Sequence, residues 1–82
     1  MNLVELTKEI VLSLVEEKDS VNVKEFESDD ENTMLIEVMV SEDDLGRVIG
    51  KGGKTIEAIR TLVKASSFLQ KNKKVKINVD KF

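Results

Sequence analysis

The chain has 82 residues, of which 40% are hydrophobic and 35% are charged, with four glycines and no proline. This composition is typical of a folded globule, and we expect residues 1–82 to form a single domain. A domain of this size buries only about 60% of the surface that its unfolded chain exposes, so no cofactor or small-molecule substrate is expected. The chain has no cysteine and no histidine, which excludes disulfide bonds, a Cys/His zinc site and Cys-His or Ser-His nucleophile pairs.

The sequence has no segment that could cross a membrane, because its longest apolar runs are three residues. Glu5 and Glu9 stand where a signal peptide would be cationic. We therefore expect a cytoplasmic protein without a membrane partner.

Charge is distributed very unevenly along the chain, although the net charge is only −3. Residues 1–46 hold three cations and fourteen acids, net −11, whereas residues 47–82 hold ten cations and two acids, net +8. The overall acidity would argue against a nucleic-acid partner. However, the concentration of positive charge in the second half of the chain allows one basic binding surface. The acidic residues lack the spacing of a calcium loop, and no metal site is expected.

The first predicted element is an amphipathic helix from Asn2 to about Lys18. Asn2 can cap its start, with Glu5 three residues later as in a capping box. Apolar residues recur at helical spacing along it. These are Leu3, Val4, Leu6, Ile10, Val11, Leu14 and Val15.

Two strands are predicted to follow as a hairpin. Val21 and Val23 alternate with polar residues, and an acidic, turn-prone stretch at 28–32 follows Phe26. The next strand has apolar residues on one face, as expected of a strand that packs on helices. They are Met34, Ile36, Val38 and Val40. This second strand should be central in the sheet.

Two helices of unequal length are predicted next. Ser41, with Asp44 three residues later, caps a helix of two turns that ends at Gly50. A longer helix runs from Lys54 to a cap at Asn72. Its residues at helical spacing are Ile56, Ile59, Leu62, Val63, Ser66 and Leu69.

A last strand is predicted from the alternation of Val75, Ile77 and Val79 with polar residues. Strands joined by a helical crossover lie parallel, whereas a hairpin pair is antiparallel. The order α-β-β-α-α-β therefore predicts an α+β fold with a three-stranded mixed sheet and helices on one face.

A glycine-rich segment joins the two later helices. Residues 50–54 read Gly-Lys-Gly-Gly-Lys and hold three of the four glycines. Glycine lets another molecule approach the backbone closely, and the amides that open the next helix favour an anion. Lys51 and Lys54 add positive charge. The segment predicts a phosphate-binding loop, and the alternative is a tight corner in which the glycines only turn the chain.

Two nucleotide-binding motifs do not fit this loop. A P-loop needs a glycine where Val48 stands and a strand before the loop, and the dinucleotide pattern needs a third glycine where Thr55 stands. The Gly-x-x-Gly loop of K-homology (KH) domains does fit, from Gly50 to Gly53. In those domains the loop lies between two helices and clamps about four nucleotides of a single strand.

The residues around the loop resemble the core of the bacterial KhpA-type proteins, which are small RNA-binding proteins with a single KH domain. The similar segments are Arg-Val-Ile-Gly-Lys-Gly-Gly-Lys-Thr-Ile at 47–56 and Ala-Ile-Arg-Thr-Leu at 58–62. Length and element order also match. The resemblance implies the type II KH fold and single-stranded RNA binding, as an RNA chaperone or post-transcriptional regulator. It further implies a homodimer, or a heterodimer with a KH protein of the Jag type.

The predicted RNA-binding site combines the loop with its flanks. Its residues are Arg47, Ile49, Gly50, Lys51, Gly52, Gly53, Lys54, Ile56 and Arg60. Backbone amides of the loop would bind phosphates, and nearby cations would compensate the phosphate charge. Such contacts do not distinguish one RNA sequence from another. Arg60 and Lys64 either extend the phosphate track or belong to a solvated helix face. The lysines at 71, 73, 74 and 76 either contact RNA or complement the dipole at a helix end.

Bases would lie on an apolar groove floor beside the loop. The candidates are Val48, Ile49, Ile56 and Ile59, and the alternative for each is an ordinary core position. With only three phenylalanines, the chain has no pair of aromatic residues on which bases could stack, as they do in RNA-recognition motifs and OB-folds. This favours binding of the KH type and predicts that one domain alone binds RNA weakly.

Two other classes of function stay open at this point. The first is a protein-interaction or dimerisation scaffold with little RNA binding, for which an exposed strip around Leu62, Phe68 and Leu69 would be the surface. The second is an enzyme such as a nucleotide hydrolase. We do not expect an enzyme, because the sequence offers neither a general base in a pocket nor a credible metal set.

Overall fold

The computed structural model describes residues 2–70 and 74–82 and has the predicted element order. The helices are α1 (Leu3–Leu12), α2 (Glu42–Ile49) and α3 (Lys54–Leu69), and the strands are β1 (Asn22–Glu27), β2 (Thr33–Val40) and β3 (Lys74–Lys81). Short 3-10 turns occupy Lys18–Ser20 and Lys51–Gly53. The predicted cap at Asn72 lies outside the described residues. None of the described helices is long and apolar enough to cross a membrane.

The sheet has the order β1-β2-β3, which confirms the central place predicted for β2. β1 pairs with β2 antiparallel, with Val23 opposite Val38, because a short loop joins the two strands. β3 pairs with β2 parallel, with Ile77 opposite Ile36, because the α2–α3 segment carries the chain back across the sheet.

The core lies between one face of the sheet and the helices. Alternate residues of β2, namely Ile36, Val38 and Val40, are buried as the period of two predicts. On the opposite face Leu35 and Met39 keep part of their surface exposed. The other core residues are Leu3, Val11, Val15, Val48, Ile56, Ile59, Val63, Val75 and Ile77.

The first helix is shorter than predicted, ending at Leu12 instead of near Lys18. Lys18 Nζ donates to the carbonyl oxygens of Leu12 (2.6 Å) and Val15 (3.1 Å). The amides of Glu16 and Glu17 donate to a side chain of α2. Because the Lys18 ammonium and this α2 side chain take carbonyl and amide groups that would continue the helical ladder, the chain leaves the helix there.

The buried stripe of α1 also differs from the predicted one. Leu3, Thr7 and Val11 face the core, whereas Leu6 and Ile10 are only half-buried. Thr7 is fully buried because its Oγ1 donates to the Leu3 carbonyl at 2.8 Å, which satisfies its only polar group.

Candidate nucleic-acid interface

The glycine loop has a backbone that only glycine adopts easily. Gly50, Gly52 and Gly53 have φ angles of 78°, 64° and 77°. At Gly50 the restriction is also steric, because a β-carbon there would lie 2.2 Å from Thr55 Oγ1 and 2.8 Å from the Thr55 amide nitrogen. The loop therefore packs its first glycine directly against the first turn of α3.

Two hydrogen bonds close the loop onto the preceding helix. The Gly50 amide donates to the Gly46 carbonyl at 2.8 Å, and the Gly53 amide donates to the Gly50 carbonyl at 3.0 Å. Gly53 is the N-cap of α3 and provides no side-chain cap. The positive end of the α3 dipole is therefore not covered by a capping side chain, which suits an incoming anion.

Lys51 and Lys54 are exposed on this loop. Across residues 2–70 and 74–82, no ion pair uses either of them. Their charge is thus not neutralised by a neighbouring carboxylate, and it adds to the helix dipole at the same place.

Arg47, by contrast, is bound within the protein. Its Nη1 donates to Asp44 Oδ1 at 3.1 Å and to the Asp43 carbonyl at 3.2 Å, and its Nη2 donates to Glu16 Oε1 at 2.9 Å. Its side chain remains partly exposed. The structure thus distinguishes Arg47, which is paired with acids, from the two loop lysines.

Arg60 links α3 to the edge strand of the sheet. Its Nε and Nη2 donate to the Ile77 carbonyl of β3 at 3.2 and 2.9 Å, and its Nη1 donates to Glu57. These hydrogen bonds hold α3 beside β3, and they use guanidinium N–H donors that could otherwise bind a phosphate.

Most of the apolar floor candidates lie in the core. Val48 and Ile59 are essentially inaccessible, and Ile56 is 6% exposed. Ile49 is half-buried at the end of α2. It is therefore the one candidate of the four that offers a contact surface next to Gly50.

Asp44 is a buried carboxylate whose role the sequence pattern did not reveal. It is 1% exposed and accepts hydrogen bonds from the amides of Glu16 (3.0 Å) and Glu17 (2.9 Å), as well as from Ser41 Oγ and Arg47 Nη1. These two backbone amides, then Ser41 and Arg47, lower the pKa of the Asp44 carboxyl below its usual value.

The predicted cap of α2 is therefore correct in place but wrong in its bonding. The helix begins after Ser41, yet the Ser41 side chain makes no capping bond to the helix and donates to Asp44 instead. The spacing of three residues between Asp44 and Arg47 could have predicted their ion pair, because residues three apart are neighbours on a helix surface. The contact with residues 16 and 17 has no local signal.

A separate cleft of about 460 Å³ opens between the C-terminal half of α3 and the start of β3. It is lined by Thr33, Lys64, Ser67, Phe68, Lys74, Val75 and Lys76. Lys71 and Lys73 of the predicted basic cluster lie outside the described residues. In the described part of the chain, no three acidic side chains come together as a metal site.

The fold is similar to part of a larger protein of known structure. The crystal structure of Era in complex with MgGDPNP and nucleotides 1506–1542 of 16S ribosomal RNA matches 96% of this chain and 29% of that chain, with a TM-score of 0.68 and 24% sequence identity. Era of Aquifex aeolicus bound to GDP.AlF4- matches over the same shares, with a TM-score of 0.67. At this identity the likeness shows the fold alone.

Sequence comparison is more specific. The chain is 42% identical over 69 residues to the RNA-binding protein KhpA of Caldanaerobacter subterraneus subsp. tengcongensis, covering 84% of this chain and 89% of that protein. It is 41% identical over 75 residues to the RNA-binding protein KhpA of Clostridium perfringens, covering 92% and 96%. Residues 4–79 match the family model of the KhpA/KhpB KH domain. The chain belongs to the KhpA/KhpB family of KH domains.

Proposed function

We propose that this protein binds single-stranded RNA and holds its phosphates at the loop from Gly50 to Gly53. The observation that carries the proposal is the coincidence of three features at one point. The backbone at Gly52 and Gly53 leaves space for close approach, and the α3 N-terminus lacks a side-chain cap. Lys51 and Lys54 are exposed and have no acidic partner among residues 2–70 and 74–82.

The proposed division of roles follows from the contacts. Lys51 and Lys54 compensate phosphate charge, and the loop backbone donates to phosphate oxygens. Ile49 offers an apolar surface to a base, with Ile56 supporting it from the core. Arg47 and Arg60 add positive potential at the flanks, while their internal hydrogen bonds keep α2 and α3 in place.

The relatives support this function through their names, since both are described as RNA-binding proteins. We further propose that the protein acts in the cytoplasm as an RNA chaperone or post-transcriptional regulator, and that it is not an enzyme. A loop that reads the backbone and not the base edges suits a protein that acts on many RNAs.

The test is fluorescence anisotropy of a labelled single-stranded RNA at low salt. The Lys51→Asp/Gly52→Asp variant should lose binding, because carboxylates in the loop repel phosphate. Lys51→Glu avoids the strain of a side chain at Gly52, where φ is 64°. It should weaken binding at least about tenfold, which is the effect of roughly 1.4 kcal/mol.

The matched control is Lys8→Glu, which makes the same charge change on the exposed face of α1. It should leave affinity within about twofold. Circular dichroism checks that every variant is folded. Equal affinities of wild type, Lys51→Glu and Lys8→Glu would refute the loop as the binding site.

A second function, dimerisation, is favoured by the outer face of α3. Leu62 and Leu69 are 58% and 80% exposed, although the helical spacing also allowed core positions for them. With two exposed alanines they form a strip of 4-3-4 spacing, which is typical of helix pairing. We call Ala58, Leu62, Ala65 and Leu69 the α3 strip.

Pairing of two α3 strips would suit an antiparallel dimer. Small and large residues alternate along the strip, so each leucine can face an alanine of the other helix, and two backbones can approach closely. Phe68, 81% exposed, borders it. We propose a homodimer through this strip, with a Jag-type KH protein as the alternative partner. The glycine loop of the second subunit would then raise the affinity for RNA, because both loops bind the same strand at a high effective concentration.

A further inference from the structure

A second surface of the protein lies at the end of α3 opposite to the glycine loop. It is the cleft of about 460 Å³ between the C-terminal half of α3 and the start of β3. Phe68, which lines it, comes fourteen residues after Lys54 in the same helix, so the two residues are about 21 Å apart along the helix axis. The cleft is therefore separate from the loop.

One side of α3 forms a wall of the cleft. Lys64 and Phe68 both line it and are four residues apart, so they are neighbours on the helix surface. Arg60, a further four residues earlier, donates to the Ile77 carbonyl, which shows that this side of α3 faces β3. The α3 strip lies on another side of the helix.

Phe68 gives the cleft an accessible aromatic surface. It is 81% exposed, whereas Val75 of β3, which also lines the cleft, is buried. A ring that stays in water contributes little to the apolar core, so the fold does not explain a phenylalanine at this position. The exposed face of such a ring is a surface on which a nucleobase stacks.

Three lysines lie around this aromatic surface. Lys64, Lys74 and Lys76 line the cleft and are exposed, and no ion pair in residues 2–70 and 74–82 uses any of them. Asp30 is nearby, since hydrogen bonds from two neighbouring residues, and then the charges of Lys74 and Lys76, lower the pKa of its carboxyl. One carboxylate against three ammonium groups leaves the cleft positive.

An aromatic ring beside three cations favours a ligand that carries a flat ring and a negative charge close together. A nucleotide has both, because its base can stack on Phe68 while its phosphate faces the lysines. The volume of the cleft lies within the range of small-ligand sites, about 300–1,000 Å³. An acidic peptide matches the lysines but does not require the ring, so it is the alternative that the test has to exclude.

We propose that this cleft binds a nucleoside phosphate, either a free nucleotide or one nucleotide of a bound RNA strand, with the base on Phe68 and the phosphate at Lys64, Lys74 and Lys76. For RNA the inference rests on the proposed function, because the glycine loop holds another part of the same strand. A strand that reaches both sites is longer than the roughly four nucleotides that the loop clamps.

The first arm of the test measures anisotropy of labelled single-stranded RNAs of about 5 and about 15 nucleotides, lengths below and above that needed to reach both sites. For the longer strand, Phe68→Ala should lower affinity at least about fivefold through lost stacking and leave the salt dependence unchanged. Lys64→Ala/Lys76→Ala should also lower it, and should reduce the slope of log affinity against log salt by about 0.7 for each lost phosphate contact. Neither variant should change the affinity for the shorter strand.

The matched controls remove the same side chains elsewhere. Phe82→Ala removes a phenylalanine that is 67% exposed at the end of β3, and Lys8→Ala removes an exposed lysine of α1. Both should leave affinity for either strand within about twofold. Circular dichroism and analytical ultracentrifugation check that every variant keeps its fold and its oligomeric state.

The second arm uses adenosine monophosphate, adenosine and inorganic phosphate without RNA, with amide chemical shifts as the measurement. If the source is a free nucleotide, the monophosphate should shift the amides of Lys64, Phe68 and Val75 more than adenosine or phosphate alone, and Phe68→Ala should abolish this shift. A response in the RNA arm only assigns the cleft to an RNA nucleotide. No response in either arm overturns the inference, and so does a shift of the same amides by acetylated hexaglutamate but not by the monophosphate.

The loop variant Lys51→Glu separates failure of this inference from failure of the proposed function. If Lys51→Glu weakens binding of both RNAs while the cleft variants behave as wild type in both arms, the loop site is supported and the cleft site is wrong. If Lys51→Glu binds as well as wild type while the cleft variants lose affinity, the proposed loop site fails and the cleft site is supported. If the wild type binds no RNA, the nucleotide arm alone decides the inference.

Discussion

Arg47 Nη1 lies 3.1 Å from Asp44 Oδ1, in an ion pair whose carboxylate is almost completely buried. The same carboxylate accepts hydrogen bonds from the backbone amides of Glu16 and Glu17, which follow α1. The helix that leads into the glycine loop is therefore tied to the segment that follows α1 through Asp44, and the Arg47–Glu16 ion pair adds a second contact to the same segment. The position of the loop depends on this link as well as on the apolar core.

Replacing Asp44 should destabilise the protein clearly. Asp44→Asn keeps one acceptor oxygen for two backbone amides and turns an NH2 group toward them, so at least one buried donor loses its partner. We expect the Tm to fall by on the order of 5–10 °C. The matched control is Asp43→Asn, one residue away and exposed, which should shift the Tm by less than about 2 °C. Equal shifts in the two variants would contradict the role given to Asp44.

Stability should also depend on pH through Asp44. Its folded-state pKa is lowered from 3.8, so its ionised form stabilises the fold above that value. This contribution is fully present above about pH 5 and is lost as the pH falls through 3.8 toward the folded pKa. The difference in Tm between wild type and Asp44→Asn should therefore shrink on acidification. A constant difference between pH 7 and pH 3 would rule this linkage out.

The glycines of the loop should differ in their tolerance of alanine. Gly50→Ala combines a strained backbone with a β-carbon 2.2 Å from Thr55 Oγ1, and we expect a loss of at least about 2 kcal/mol in the free energy of unfolding. Gly53→Ala has a similar φ but no atom within 4 Å of the new carbon, so about 1 kcal/mol is expected. Urea denaturation measures both.

A second substitution checks the cause at Gly50. Thr55→Ala removes the Oγ1 contact but leaves the Thr55 amide nitrogen 2.8 Å away and the φ of 78° unchanged. Combined with Gly50→Ala, it should restore only part of the lost stability. Complete restoration would show that the backbone strain at Gly50 costs little.

The α3 strip should determine the oligomeric state. Leu62→Glu/Leu69→Glu places carboxylates on the surface proposed to pair, so a dimer should dissociate while the circular dichroism spectrum is retained. Phe82→Glu is the control, since Phe82 is also an exposed apolar residue (67%) but lies at the end of β3. Analytical ultracentrifugation measures both. A wild type that is monomeric at high concentration would remove the basis for this surface.

Much of the fold follows from local patterns that the sequence displays directly. The alternation at Ile36, Val38 and Val40 predicts both the strand and its buried face, because successive strand residues point to opposite sides. Gly50 ends α2 as predicted, because its φ of 78° suits glycine alone. The match of the loop to the KH pattern is equally local, since it depends on residue types at adjacent positions.

Other features depend on partners that are distant in the sequence, and only the tertiary structure decides them. The amide of Glu16, in the segment that follows α1, donates to Asp44, 28 residues later, and helical periodicity could not reveal this partner. The same holds for Leu62, because helical spacing places it beside core residues and only the position of the neighbouring elements leaves it exposed. Within the described part of the chain, Arg47 pairs with Glu16 and Asp44 whereas Lys51 forms no ion pair, and only folding brings Glu16 beside Arg47. Residue type and spacing determine local conformation and the identity of the loop, whereas burial and charge pairing depend on which surfaces the fold brings together.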